Sequence, residues 1–223
     1  PLEMKTMGSE FDGGFAQYCV AKAEESFPIN CNWSDIELAS IPISYSTAEG
    51  MLCRADVEKE TILITGASGG VGSAAIQLAK IRGATIIAQC SPDKASFLKD
   101  LGADQTVNRS DNLVKVLGKN SVDVVFDLVG GSRWPQLLDI IKPGGKYVTS
   151  GAIAGPIVDL DLRSLYLKDL TLYGSTVNDP FVFENVIRYI EEGQIKPLVA
   201  QTFPLKEIHK AQKSIYGEEI YWQ

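Results

Sequence analysis

The segment of this chain with the clearest chemical potential is TILITGASGGVGSAAIQLAK, residues 61–80, which places four glycines within the seven positions 66–72. A strand that ends in such a turn and enters a helix presents free backbone N–H groups and the positive end of a helix dipole at one point. Glycine permits the tight turn and the close approach of phosphate oxygens, and Gly72 would let the helix pack near the strand. The turn therefore predicts a site for the diphosphate of a dinucleotide, with an ordinary glycine turn as the alternative.

Strand-like and helix-like segments alternate from residue 61 onward, and they would position this turn at the edge of a sheet. The strand runs are TILIT, ATIIAQ, QTV, VDVVFDLV and GKYVTSG, and the helical segments begin near Val71 and continue with DKASFLKDLG, NLVKVLG and WPQLLDII. Near-continuous Ile and Val runs are typical of strands that helices bury on both faces. The pattern predicts an α/β fold with a doubly wound parallel sheet.

The chain before residue 45 and the chain after DLTLYGST lie outside this alternation of strands and helices. Before residue 45, GGFAQYCVAKAEESFPI predicts a strand and a turn, and SDIELASIPISYSTAEGML predicts a capped helix leading into another helix. After DLTLYGST, the chain predicts a helix at PFVFENVIRYIEEG, a strand at LVAQTF and a surface helix that carries the single histidine, His209.

Composition favours a globular protein that binds small ligands. The 223 residues are 45% hydrophobic and carry a net charge of −7 without long runs of like charge, a balance that argues against nucleic acid or an anionic membrane as a partner. No apolar run approaches the ~18 residues that a membrane span needs and no secretory leader is visible, so a cytoplasmic protein is expected. The cysteines are far apart and are expected as free thiols: Cys19, Cys31, Cys53 and Cys90.

Two dehydrogenase families have a glycine turn of this kind. TGASGGVG fits the turn of short-chain dehydrogenases, but those enzymes also need a Tyr-x-x-x-Lys pair downstream, and that spacing occurs here only at Tyr18 and Lys22, upstream of the turn. The whole chain instead resembles the medium-chain dehydrogenase/reductase superfamily, and within it the quinone-oxidoreductase-like branch. The ordered segments that carry the resemblance include SIPISYSTAEGML, GASGGVGSAAIQLAK, LGADQTVN, VDVVFDLVGG, KPGGKYVTSG, LTLYGST and EEGQIKPLVAQTFPLKEIHKAQ.

The resemblance implies a dinucleotide-binding Rossmann domain at 46–176, flanked by remnants of a GroES-like, β-rich catalytic domain. Residues 1–45 would be the C-terminal part of that catalytic domain, most of which would be missing from this chain, and residues 177–223 would pack back on it. The implied reaction is NAD(P)H-dependent reduction or oxidation of a quinone, an enone or another carbonyl compound. The strand at 169–176 is expected to pair with its counterpart in a homodimer.

The resemblance also implies positions for the cofactor. The diphosphate would lie on the glycine turn, at Ser68, Gly69, Gly70, Val71 and Gly72. Ser46 and Thr47 match a polar pair near the nicotinamide. Backbone at the carboxyl edge of the sheet would line the rest of the cleft, at Leu128, Val129, Gly130, Ser150, Gly151, Ala152, Gly174 and Ser175. No catalytic residue is assigned: Tyr45 is the nearest polar candidate, and packing at the domain junction is the interpretation that we favour for it.

The segment after the second strand bears on the choice between NAD and NADP. NAD enzymes of this architecture place an acidic side chain at that strand end, where it binds the ribose hydroxyls and repels a 2′-phosphate. Here the strand ends in Cys90 and Ser91, and Pro92 suggests that Asp93 lies beyond it as a cap for the next helix. Lys94 and Arg109 are available as cations for a 2′-phosphate. We therefore expect NADP rather than NAD.

A catalytic zinc is not expected. In zinc alcohol dehydrogenases of the same superfamily, a cysteine ligand stands just before the segment that reads SYSTAEG here, and this chain has Ile43 at that position, which cannot ligate zinc. The prediction is a zinc-independent reductase. Two alternatives stay open at this point: a zinc-dependent alcohol dehydrogenase, and an NADPH-binding protein with little or no turnover.

Overall fold

A computed structural model describes residues 5–216, and the contacts in it divide the chain into two units. The larger unit comprises Trp33–Leu198, and the smaller one combines Pro1–Asn32 with Val199–Gln223. The boundaries at 45 and 177 of the three predicted domains stay a prediction. Residues 1–4 and 217–223, which belong to the outer two of those domains, lie outside the described residues.

The larger unit is built on a six-stranded sheet. The strands are β1 Thr61–Ile64, β2 Thr85–Cys90, β3 Gln105–Asn108, β4 Val122–Asp127, β5 Ile141–Thr149 and β6 Thr171–Gly174. All neighbouring strands pair in parallel, in the spatial order β3-β2-β1-β4-β5-β6. The winding direction reverses between β1 and β4, and ligands of such sheets bind in the crevice at the carboxyl ends of the strands beside that switch point. The predicted doubly wound fold is confirmed.

Helices follow the strands as the alternation predicts. Those among the described residues are α1 Asp35–Ala39, α2 Pro42–Arg54, α3 Gly70–Ile81, α4 Ala95–Asp100, α5 Leu113–Leu117, α6 Trp134–Ile140, α7 Leu162–Tyr166, α8 Pro180–Glu191 and α9 Ile208–Tyr216. The predicted cap of α1 is present, because the Ser34 hydroxyl accepts the N–H of Glu37 while the Glu37 carboxylate accepts the N–H of Ser34.

Apolar side chains cover both faces of the sheet. One row in register across four strands, Ile87, Leu63, Val125 and Tyr147, belongs to a core cluster with Leu113 of α5 and several residues of α6. Successive strand residues point to opposite faces, and the alternate positions, such as Ile62, are equally buried. Burial on both faces explains why the central strands β1, β2 and β4 read as runs rich in Ile, Leu and Val.

A buried ion pair ties together the three helices α2, α3 and α8. Glu49 of α2 is fully buried, and its carboxylate accepts two hydrogen bonds from the Arg82 guanidinium at the end of α3, at 2.8 and 2.7 Å. Asn185 of α8 donates to the same carboxylate at 3.1 Å. The Cys53 thiol lies beside the pair, and burial raises its pKa to about 11. This cluster fixes helices from before and after the sheet to one another.

The smaller unit has little regular structure within its described residues. Neither strand predicted there forms: residues 13–29 hold only one 3-10 turn, at Ala23–Glu25, and residues 198–203 are irregular. A strand forms only where a partner completes its hydrogen bonds, and in this unit the described chain has just the isolated bridge Met7–Phe11. The surface helix with His209 is confirmed as α9, where His209 is exposed.

All four cysteines are free, as predicted. Among residues 5–216, no helix is both long and apolar enough to cross a membrane.

Candidate cofactor site

The glycine turn connects β1 to α3 through a conformation that needs two of its glycines. Gly66 has φ +57°, and a Cβ there would lie 3.1 Å from Val129 Cγ2. A Cβ on Gly72 would lie 2.5 Å from the Gly66 carbonyl oxygen and 2.6 Å from Ala67 Cα. Since both of these neighbours of Gly72 are backbone, the first turn of α3 can lie this close to the end of β1 only with glycine at 72.

The start of α3 offers hydrogen-bond donors. Gly69 is the N-cap and makes no side-chain cap hydrogen bond, so among the described residues the first N–H groups of the helix lack the usual side-chain acceptor. The residues at this point, Ser68, Gly69 and Gly70, are exposed. A helix of twelve residues with uncapped donors and a positive dipole end at the carboxyl edge of the sheet suits an anionic group. These features fit the diphosphate predicted there.

Helix α2 forms one wall beside the turn. Ser44 lies against the turn, since a Cβ on Gly70 would be 2.6 Å from its hydroxyl oxygen. Ser46 and Thr47 are half-buried on the same helix, and the Ser46 hydroxyl donates to the Pro42 carbonyl one turn earlier. Ser44 is not among the predicted site residues, because SYST offers four hydroxyl side chains and the sequence does not say which of them meets the turn.

Tyr45 is a packing residue, as we favoured. Its side chain is 2% exposed, and its hydroxyl donates to the Lys196 carbonyl at 2.6 Å and accepts from the Gln77 amide at 2.8 Å. Burial raises the pKa of this phenol to about 12. Both hydroxyl functions are occupied inside the fold, so Tyr45 is not placed to exchange protons with a substrate.

A second buried network stands at the carboxyl end of β4. The side chain of Asp127 is fully buried and accepts the Thr65 hydroxyl at 2.5 Å and the Tyr147 hydroxyl at 2.6 Å. It also accepts the N–H of Val129 at 3.0 Å and that of Gly130 at 3.2 Å. Burial first, and then the Asp127 charge, raise the pKa of Tyr147. The sequence predicts Asp127 as part of a strand, and its local pattern does not indicate this network.

The predicted cleft residues after β4 and β5 come together. The Val129 carbonyl accepts the Ala154 N–H at 2.9 Å, and the Gly131 N–H donates to the Gly155 carbonyl at 3.1 Å. Two backbone hydrogen bonds therefore join the loop after β4 to the loop after β5. The predicted Leu128 and Ser150 are half-buried beside them, and the Ser150 hydroxyl contacts Met51 of α2 at 3.0 Å.

A cavity of about 280 Å³ opens at this edge of the sheet. Four predicted cleft residues line it, Gly130, Gly151, Ala152 and Gly174, together with the rings of Trp134 and Tyr147. These two rings meet edge to face at 4.6 Å. The remaining predicted residue of the set, Ser175, is buried, and its N–H donates to the Thr149 carbonyl at 2.9 Å.

The residues predicted near a 2′-phosphate gather at the carboxyl ends of β2 and β3. Ser91 is half-buried, whereas Asp93, Lys94 and Arg109 are exposed. The Ser91 hydroxyl, and more weakly the charges of Lys94 and Arg109, lower the pKa of Asp93. Asp93 does not cap the next helix, so that prediction is wrong: the residue lies inside the 3-10 turn Pro92–Lys94, and α4 begins without a side-chain cap. Pro92 is the first residue of that turn, so helical geometry begins before Asp93 and leaves Asp93 inside the turn instead of at the N-cap of α4.

Ile43 is 77% exposed on α2. Within residues 5–216, no three His, Cys, Asp or Glu side chains lie close enough together to hold a metal ion.

A family model described as zinc-binding dehydrogenase matches residues 70–192, which include α3, the sheet from β2 onward and α8. The chain belongs to the zinc-binding dehydrogenase family. Membership confirms the resemblance to the medium-chain dehydrogenase/reductase superfamily.

Curated relatives in this family carry oxidoreductase names. Acryloyl-coenzyme A reductase of Metallosphaera sedula is 31% identical over 204 residues, covering 90% of this chain and 61% of the relative. Quinone oxidoreductase-like protein 2 of Bos taurus is 30% identical over 216 residues, covering 89% and 62%. A Sinorhizobium meliloti 1021 structure, described provisionally as an alcohol dehydrogenase, superposes with a TM-score of 0.91 at 44% identity and covers 98% of this chain and 62% of that one. The chain thus spans about 60% of the length of these proteins.

Solved structures in the family differ in what they bind. An alcohol dehydrogenase from Pyrobaculum aerophilum with bound cobalt and zinc has a TM-score of 0.81 at 32% identity, covering 93% of this chain and 61% of its own. A 2-octenoyl-CoA carboxylase reductase in complex with NADP and 2-octenoyl-CoA has a TM-score of 0.83 at 28% identity, covering 91% and 52%. A further structure, at 30% identity and a TM-score of 0.88 and covering 95% and 64%, is an NAD-dependent alcohol dehydrogenase.

Proposed function

We propose that this chain is the NADP(H)-binding part of an oxidoreductase that transfers hydride between NADPH and a quinone, an enone or another carbonyl compound. The observation that carries the proposal is the turn at 66–72, in which Gly72 packs against backbone and leaves the uncapped start of α3 open at the switch point of the sheet. A helix start of this kind at that position favours a dinucleotide diphosphate. The oxidoreductase names of the relatives support the reaction class.

We assign the parts of the cofactor to the elements around the crevice. The donors at the start of α3 would hold the diphosphate, and the loops after β4 and β5 would line the nicotinamide end. When bound, NADPH would supply the hydride. The chain's own contribution would be to fix the orientation of the cofactor and to exclude water on one side of it. Tyr45 has no free hydroxyl function, so we assign no proton donor within the described residues.

The preference for NADP over NAD rests on the charges beside Ser91. Lys94 and Arg109 are exposed cations on the two strand ends that flank the adenosine side, and each would attract a 2′-phosphate. Asp93 opposes them, but its carboxylate is held by the Ser91 hydroxyl and lies 3.8 Å from the Lys94 ammonium. The relatives include both an NADP complex and an NAD-dependent enzyme, so they favour neither cofactor. The proposed preference for NADP therefore rests on the local charges.

Fluorescence titration of the protein with NADPH and NADH tests this proposal. We expect NADPH to bind at least about tenfold more tightly, the effect of one charge-assisted hydrogen bond to the phosphate. Arg109→Ala should remove most of this difference by weakening NADPH alone. Lys99→Ala, an exposed cation on the neighbouring helix α4, is the matched control and should change neither ligand. Equal or tighter binding of NADH would contradict the choice of NADP.

Two other functions are distinguished by turnover and by metal content. NADPH oxidation with a panel of quinones, aldehydes and enones separates a reductase from an NADPH-binding protein with little turnover. A zinc-dependent alcohol dehydrogenase would need a metal ligand where the exposed Ile43 now stands. We therefore also propose that the reaction needs no zinc.

A further inference from the structure

We propose that Asp127 is a positioning residue, which sets the spacing between the glycine turn and the loops after β4 and β5 and thereby fixes the nicotinamide end of the site relative to the diphosphate end. This inference rests on the proposed NADP(H) site. It assigns a role to a buried carboxylate that contacts no ligand itself.

The hydrogen bonds of Asp127 come from three adjacent strands. Thr65 stands directly after β1, Tyr147 lies on β5, and the N–H groups of Val129 and Gly130 belong to the loop after β4. The Thr65 hydroxyl makes two hydrogen bonds to this region, because it donates to Asp127 and also accepts the Leu128 N–H at 2.9 Å. A single side chain therefore joins the ends of the three strands whose loops form the crevice.

The burial of the Asp127 carboxylate requires its hydrogen-bond donors to stay in place. Asp127 is fully buried, and among the described residues no Lys or Arg forms an ion pair with it. A buried charge without a counter-ion is tolerated only when hydrogen bonds satisfy it. Each donor must then stay within hydrogen-bond distance of the carboxylate, so the carboxylate holds the strand ends in one relative position.

The loop that Asp127 holds lies beside the glycine turn. Val129 Cγ2 lies 3.1 Å from the position that a Cβ on Gly66 would take, so the loop after β4 lies beside the first residue of the turn. The same loop is bonded to the following one through the Val129 carbonyl and the Ala154 N–H at 2.9 Å. A small displacement of residues 128–130 would therefore change the distance between the two ends of the site.

This geometry predicts that the two halves of NADPH respond differently to a disturbed network. The adenosine half, represented by 2′,5′-ADP, would contact the turn and the ends of β2 and β3, to which Tyr147 is not bonded. The nicotinamide half would contact the loops that Asp127 holds. Loss of the Tyr147 hydroxyl should therefore weaken NADPH and leave 2′,5′-ADP unchanged.

The experiment compares Tyr147→Phe with Tyr45→Phe in the full 223-residue chain. Both tyrosines are buried, 3% and 2% exposed, and both hydroxyls donate at 2.6 Å, but Tyr45 donates to a backbone carbonyl away from this network. We expect Tyr147→Phe to weaken NADPH about three- to tenfold, the effect of one buried hydrogen bond, with 2′,5′-ADP within about twofold. Tyr45→Phe should leave both affinities within about twofold at a comparable loss of thermal stability.

A second pair of variants tests the link from β1. Thr65→Val removes the hydroxyl and should weaken NADPH more than 2′,5′-ADP, whereas Thr65→Ser keeps it and should restore the ratio of the two affinities. An unchanged ratio in both Tyr147→Phe and Thr65→Val would overturn the positioning role, as would equal weakening of both ligands. If the unmodified chain binds neither ligand, the proposed function itself fails, and the inference fails with it.

Discussion

Replacement of Gly72 by alanine is the most direct test of how the turn is built. The added Cβ would meet the Gly66 oxygen at 2.5 Å, Ala67 Cα at 2.6 Å and the Ala67 carbonyl carbon at 2.8 Å. All three are backbone atoms, so neither side can yield by rotating a side chain. Overpacking of this kind costs roughly 1–3 kcal/mol, while alanine in a helix gains up to about 1 kcal/mol over glycine. We expect a net loss of about 1–2 kcal/mol in the free energy of unfolding.

Gly69→Ala is the matched control in the same turn. Gly69 has φ −77° and ψ 171°, which any residue adopts, and its Cβ would approach only the Gly66 oxygen, at 3.4 Å. The fold should tolerate this variant within about 0.5 kcal/mol. Its Cβ would nevertheless project from an exposed turn, where the proposed diphosphate approaches.

Thermal unfolding and NADPH titration together separate the two effects. Gly72→Ala should lower Tm by about 2–8 °C in a chain of this size and also weaken NADPH. Gly69→Ala should leave Tm unchanged and weaken NADPH alone. A Gly72→Ala protein as stable as the unmodified chain would refute the steric reasoning, and unchanged NADPH binding by Gly69→Ala would refute the placement of the ligand over the turn.

Three further predictions concern the helices, the sheet edge and the metal. Glu49→Gln leaves the Arg82 charge uncompensated, so calorimetry should show a loss of about 3 kcal/mol in the free energy of unfolding. The control Lys119→Gln loses only the exposed pair with Asp139 and should change that free energy by less than about 0.5 kcal/mol. Because β6 is an edge strand, we expect it to pair with its counterpart in a homodimer, so light scattering should give twice the chain mass of 24.2 kDa. Thr171 is exposed on that strand, and Thr171→Lys should shift the protein toward monomer. A monomeric unmodified protein would contradict this pairing. Elemental analysis should find well under one zinc per chain, and a value near one would make the zinc-dependent enzyme the better proposal.

The sheet could be predicted from the sequence because its signals are local. The central strands β1, β2 and β4 are short runs rich in Ile, Leu and Val, and the turn at 66–72 marks the passage from strand to helix within a few residues. The β1–α3 unit therefore follows from composition and spacing alone. The predicted strand at 198–203 shows the limit of such signals, because the run is apolar enough for a strand but has no partner strand among the described residues.

The supporting side chains of the site could not be predicted in the same way. Thr65 and Asp127 are 62 positions apart, and Glu49 and Arg82 are 33 apart. Periodicity reports which face of an element a residue occupies but not which distant residue it meets. Asp127 sits at the end of a hydrophobic strand, where a carboxylate reads as the first solvated residue after the sheet, and its complete burial follows only from the neighbouring strand ends.

The cluster that joins α2, α3 and α8 is completed late during synthesis. Helix α2 leaves the ribosome before any strand of the sheet, but its partner α8 follows only after roughly 125 more residues. At about 5–20 residues per second, this delay is on the order of 6–25 s. During that interval α2 lacks its contacts with α8, and the Glu49 carboxylate lacks the hydrogen bond from Asn185. The side of α2 that faces α8 would then stay uncovered in the nascent chain until α8 has emerged.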